Sequence, residues 1–171
     1  LLVKIWSMTD GKLVRQMAGH KRHVYQVAFH PDGKQLATGD LMGNLFHWEV
    51  DTGKLVRQLS IAALHKYDKG FGADIGGFRD MRFSRDGKLL ACAGITNVTN
   101  AFAGVGNPLV ELWDWETGKH RVQHSAKAKI KGVQSMRFRP FRTFHLRVAK
   151  CCLTCAAART RGCGGRGGMV P

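Results

Sequence analysis

The chain has 171 residues, enough for one well-buried core, and carries a formal charge of +15 at pH 7. No apolar run approaches the ~20 residues of a membrane-spanning helix, and no charged start followed by an apolar core marks a signal peptide. The charge is uneven: Arg142, Arg147, Lys150, Arg159, Arg161 and Arg166 lie beyond Phe141 with no acid among them. The other cations fall mostly in turns and on alternate strand positions, as on a solvated face, so composition does not favour a nucleic-acid partner.

The chain opens in an apolar run, Leu1-Leu2-Val3-Lys4-Ile5-Trp6, without an initiator Met. Upstream sequence is therefore expected. Gly11-Lys12-Leu13-Val14-Arg15-Gln16 then returns letter for letter, 42 residues on, as Gly53-Lys54-Leu55-Val56-Arg57-Gln58. Trp6 returns at the same offset as Trp48, and Trp113 follows 65 residues later. Val27-Ala28-Phe29-His30-Pro31-Asp32-Gly33-Lys34 returns as Met81-Arg82-Phe83-Ser84-Arg85-Asp86-Gly87-Lys88, and its opening again as Met136-Arg137-Phe138. A fixed period of this length signals stacked units that bury their apolar faces only against one another.

Each unit reads as short strands, because apolar residues alternate over five or six positions and the breaks carry Asp-Gly or Thr-Gly turns. In the first full unit these are Val24 to Phe29, Gln35 to Gly39, Leu45 to Val50 and Leu55 to Leu59. Four antiparallel strands per ~42 residues make the blade of a β-propeller. The expected fold is all-β: full blades at roughly 24–59 and 79–124, with partial blades on either side.

Ala18-Gly19-His20, Leu36-Ala37-Thr38-Gly39, Trp48-Glu49 and Trp113-Asp114 resemble the signatures of WD40 repeats, over roughly residues 1–140. The resemblance implies a non-catalytic scaffold that binds a protein or peptide, without cofactor or metal. It also implies a blade network of His, Ser or Thr, Trp and Asp, whose places fall on His20, Thr38 and Trp48, with Trp113 and Asp114 in the next unit. The expected Asp, six residues before the Trp, is Met42 here, so the network is expected to be incomplete. In the next unit Cys92 stands where Thr38 does.

The 65-residue spacing contains 23 residues beyond one period. Twelve enter between the fourth strand of one blade and the first of the next, and eleven between the second and third strands. Antiparallel alternation puts both insertions at one end of the blade, where long loops of repeat proteins tend to carry function. The first, about 61–78, offers His65, Tyr67, Asp68, Phe71 and Asp74. The second, about 95–108, offers Asn97, Thr99, Asn100, Phe102 and Asn107. Aromatics beside adaptable amides suit partner contact; a flap covering its own blade is the alternative.

Other signals are weaker. Gly70 to Gly77 has neither a following Lys-Ser/Thr nor a helix to cradle phosphate, and Asn97-Val98-Thr99 is a short glycosylation triplet without a secretory signal. After Pro140 the repeat lapses, and residues 141–171 are expected to be a basic tail without regular structure or read from another frame. Cys152 and Cys155 have a two-residue gap, but no second pair completes a zinc site. Unpaired thiols fit a cytoplasmic protein. Two other function classes stay open: a propeller domain of a larger enzyme or electron carrier, and nucleic-acid binding through the basic surface.

Overall fold

A computed structural model describes residues 1–100, 105–125, 130–131, 133–139, 143–148 and 151–156; of residues 99, 100, 105 and those from 130 onward it describes the backbone alone. Alternation decides the architecture. Strand β1 (Leu2–Trp6) pairs antiparallel with β2 (Leu13–Ala18). Strands β3 (Val24–Phe29), β4 (Gln35–Asp40), β5 (Asn44–Glu49) and β6 (Leu55–Ser60) form a four-stranded antiparallel sheet in chain order. Its inner strands β4 and β5 are buried on nearly every residue, while β6 alternates between exposed and half-buried positions. That is the pattern of a blade sandwiched between neighbours with its outermost strand in solvent.

The second blade follows the same order, β9 (Phe78–Phe83), β10 (Leu89–Asn100), β11 (Val105–Asp114) and β12 (His120–Ser125), with a short β13 (Ile130–Lys131) added on β11. Both full blades thus lie where the repeat places them. Between them stand a 3-10 turn (Ala62–Leu64) and a hairpin of β7 (His65–Asp68) and β8 (Ala73–Gly76). A three-stranded sheet, β14 (Val133–Arg139), β15 (Thr143–Val148) and β16 (Cys151–Ala156), follows. The backbone therefore continues as strands to Ala156 where the sequence pattern lapses after Pro140. Residues 157–171 lie outside the described residues.

The core lies between sheets. Val3 and Met17 pack on Leu36, Phe46 and Trp48 across the first seam. Ala37, Leu45, Ile61 and Leu64 meet Phe78, Met81, Leu90, Leu109, Trp113 and Trp115 across the second. Full burial of each large apolar side chain is worth about 1.5–3 kcal/mol, so the seams hold the blades in order. The sheets do not close into a ring, and Leu2, Trp6, Leu13 and Val14 remain exposed on β1 and β2.

The repeated hexapeptide explains a second device at the seams. Arg57 on β6 reaches the β11–β12 turn, where its Nη1 and Nη2 donate to the carbonyls of Trp115 (3.2 Å) and Glu116 (2.9 Å). Its guanidinium lies over Gly118, whose φ of +66° and missing Cβ leave the room. One blade earlier, the Arg15 stem lies over Gly53 in the same way, 2.8 Å from where a Cβ would stand. In β12 the matching hexapeptide reads Gly118-Lys119-His120-Arg121-Val122-Gln123, with Val122 in the arginine's place.

Candidate partner-binding face and the blade network

The network in the first blade begins with strand register. Leu36 faces Trp48 and Thr38 faces Phe46, so the Trp48 indole leans over Thr38, and its Nε1 donates to Thr38 Oγ1 at 2.8 Å. Between β2 and β3, His20 stacks on Phe46 with ring centroids 4.1 Å apart and brings Nε2 to 2.6 Å from the same hydroxyl. Its Nδ1 lies 2.9 Å from Asp40 Oδ2. All four side chains are buried.

The network expected to be incomplete is closed by Asp40. This corrects the placement of the acid at position 42: it is the last residue of β4, eight before Trp48, and Met42 contributes only its backbone N–H to Asp40 Oδ1. Asn44 adds its own N–H and its side-chain amide to the same carboxylate. Because a carboxylate only accepts, His20 Nδ1 carries the proton toward Asp40; Nε2 can then accept from the Thr38 hydroxyl, which accepts from Trp48. Burial would raise the pKa of Asp40, but the bonds from His20 and Asn44 outweigh it and hold the carboxyl below its ordinary range.

Trp113 and Asp114 do not join this cluster. Trp113 occupies the place of Trp48 in the second blade, against Leu90, and Cys92 the place of Thr38. The Cys92 thiol is fully buried, and burial pushes its pKa well up. Asp114 is a turn cap: it accepts from the N–H (3.0 Å) and hydroxyl (2.8 Å) of Thr117 and pairs with Arg121. The Thr117 amide, then Arg121, hold it far below the usual carboxylate range.

The two insertions are adjacent. They are also more regular than loops, since the first is the β7–β8 hairpin and the second extends β10 and β11 beyond the blade. The Lys66 Nζ reaches the Val98 carbonyl at 3.5 Å, and Gly77 packs beneath Gly94. The other turns of this end join them: Ile61 N–H bonds the Gly43 carbonyl at 2.8 Å, and Arg22, from the β2–β3 loop, pairs with Asp74 at 3.1 Å. His65, whose Nε2 lies 2.9 Å away, and then Arg22 hold the Asp74 carboxyl below its ordinary range.

Of the expected contact residues, Tyr67 (55% exposed) and Phe71 (56%) stand in solvent on the hairpin. Asp68 is spent on the turn, accepting from Gly70 (2.9 Å) and Phe71 (3.3 Å) amides, and Asp74 on the pairs above. Asn97 is exposed at φ +52°, in a bulge where the register slips between Thr96 and Asn100, while Asn107 faces Thr96 across the extended hairpin. Only the backbone of Asn100 is described, and Phe102 lies outside the described residues. Lys66, Ile75, Ile95 and Val98, not singled out from the sequence, line a hollow of about 270 Å³ between the two insertions.

The family described as "WD domain, G-beta repeat" matches residues 11–48, the stretch that holds His20, Thr38, Asp40 and Trp48. That stretch is a WD40 repeat. The chain is 28% identical over 116 residues to telomerase protein component 1 of Mus musculus, a match covering 68% of the chain and 4% of that relative. Identity reaches 44% over 47 residues with the angio-associated migratory cell protein of Homo sapiens (28% of the chain, 11% of the relative). It is 38% over 48 residues with the small ribosomal subunit protein RACK1y of Oryza sativa subsp. japonica (28% and 14%). The chain thus spans a small part of the length of these relatives.

Proposed function

We propose that this chain is a protein-binding scaffold whose partner docks on the end that carries the two insertions. WD40 repeats are generally protein-interaction scaffolds, and that general role carries over here with the repeat. The choice of face rests on one observation: the residues that break the 42-residue period from two separate places in the sequence pack against each other at one end. This end presents Tyr67 on β7, Phe71 in the β7–β8 turn and Asn97 in the β10 bulge, two aromatics and an adaptable amide. Such residues gain contact area with little loss of conformational freedom.

Panning a random peptide library on the immobilised chain, with a Tyr67→Ser/Phe71→Ser variant as counter-target, tests the reading. Peptides retained by the parent and released by the variant are expected, with the variant's melt unchanged because both side chains are exposed. Peptides held equally by both would place the binding surface elsewhere.

A further inference from the structure

The hollow between the insertions has a chemistry of its own. We propose that it takes a glutamate side chain from an acidic segment of the partner; the inference rests on the docking face proposed above and names what that face selects. Its volume of about 270 Å³ is at the lower edge for a small-molecule pocket, and suits one side chain buried as an anchor.

Its walls have two characters. Half-buried Ile75, with the buried Ile95 and Val98 behind it, makes an apolar side against which two methylenes can lie. The Lys66 amine stands at the other side, held only by the Val98 carbonyl at 3.5 Å, a weak bond that a carboxylate would replace with a charge-assisted one. Asn97 adds an amide at the rim. The same strand offers backbone: β9 accompanies β10 only as far as the Phe78–Gly94 pair, so among the described residues that edge of β10 has no strand partner from Ile95 outward.

The sign of the occupant follows from the surrounding charges. Lys21, Arg22, Lys66 and Lys69 lie at this end, and the acids there among the described residues are Asp40, Asp68 and Asp74, of which Asp40 is buried against His20 and Asn44. Asp74 is already engaged by His65 and Arg22, and Asp68 by the amides of its own turn. Among the described residues, Lys21, Lys66 and Lys69 have no carboxylate within ion-pair distance, so the local field attracts an acid and disfavours a cation. Aspartate, one methylene shorter, could not fill the apolar side and reach Lys66 together.

Fluorescence anisotropy with labelled 12-residue alternating Ala-Glu, Ala-Gln, Ala-Asp and Ala-Lys peptides tests this on the whole chain. The Glu peptide is expected to bind at least tenfold tighter than the Gln peptide and about fourfold tighter than the Asp peptide. Lys66→Met should reduce the Glu-over-Gln preference to within twofold, and Lys66→Arg should retain most of it. Lys66 is exposed, so both variants should melt as the parent does. A preference unchanged in Lys66→Met but lost in Lys21→Ala/Lys69→Ala would overturn the proposal in favour of diffuse attraction. Equal binding of Glu and Gln peptides, abolished by Tyr67→Ser/Phe71→Ser, would overturn the glutamate site and leave the docking face standing. Binding of no peptide, here or from the library, would overturn both.

Discussion

Asp40 stands eight residues before Trp48 and nonetheless closes the blade network, with its Oδ2 2.9 Å from His20 Nδ1. Removing the acid as Asp40→Ala leaves the His20 N–H buried without its acceptor and the Met42 and Asn44 amides unpaired. The expected loss is about 3–5 kcal/mol, the usual effect of breaking a buried pair from one side. Thr38→Val keeps shape but strands the Trp48 N–H and His20 Nε2, for a loss of roughly 2–4 kcal/mol, and Thr38→Ser should restore most of it. Urea melts of the three variants decide this; a loss under about 0.5 kcal/mol for Asp40→Ala would show that the carboxylate does not hold the histidine.

The arginine clamp at the second seam makes a separate prediction. Arg57→Met removes two charged-donor bonds to the Trp115 and Glu116 carbonyls, and is expected to cost about 1.5–3 kcal/mol. Gly118→Ala imposes a side chain at positive φ, roughly 1–2 kcal/mol, and also displaces the guanidinium. The second effect vanishes once Arg57 is gone, so the double variant should lose less than the sum of the singles. Strict additivity in a double-mutant cycle would show that arginine and glycine do not meet.

How much of this was readable beforehand differs by element. The two full blades were legible because the outer strands β3, β6 and β12 alternate and the breaks carry Asp-Gly and Thr-Gly turns, although the inner strands β4 and β5 are buried on nearly every residue. Asp40 was missed because the resemblance puts the acid six residues before the Trp, whereas here it ends β4 eight residues before Trp48. The available signal was local, since an Asp before Met42-Gly43-Asn44 can cap the turn amides two and four residues on. The second insertion looked like a loop, yet Ile95-Thr96-Asn97-Val98-Thr99 is rich in β-branched residues and continues β10. The Arg57 clamp showed only as an exact repeat, because its partner carbonyls lie 58 and 59 residues away across a seam.

Acid should weaken the chain in two separable windows. Burial, then the nearby Arg57 charge, lower the pKa of His47 to about 4, and among the described residues its ring nitrogens have no hydrogen-bond partner where the ring packs, tilted, on Trp115. The unfolded chain takes up a proton on this residue near pH 6.5, which the folded chain refuses until about 4. Stability therefore falls as pH drops from 6.5 toward 4. Asp40 and Asp32, the latter near 2, act lower: their contribution is complete above about 4 and fades as pH falls through their folded values. His47→Phe keeps the packing and should flatten the upper window, leaving a residual slope from His124, which burial also lowers. Urea midpoints at pH 7.5, 6.0 and 4.5 check this, and an unchanged slope in the variant would remove His47 as its source.

The central claim, that separate insertions assemble one partner-binding end, is tested most directly by hydrogen exchange of the whole chain with and without a library-selected peptide. The account predicts new protection in both 61–78 and 95–108, together with the Arg22 loop, and none in the turns at 30–34, 51–54 and 115–119 at the opposite end. Protection confined to those opposite turns, or to one insertion alone, would contradict it.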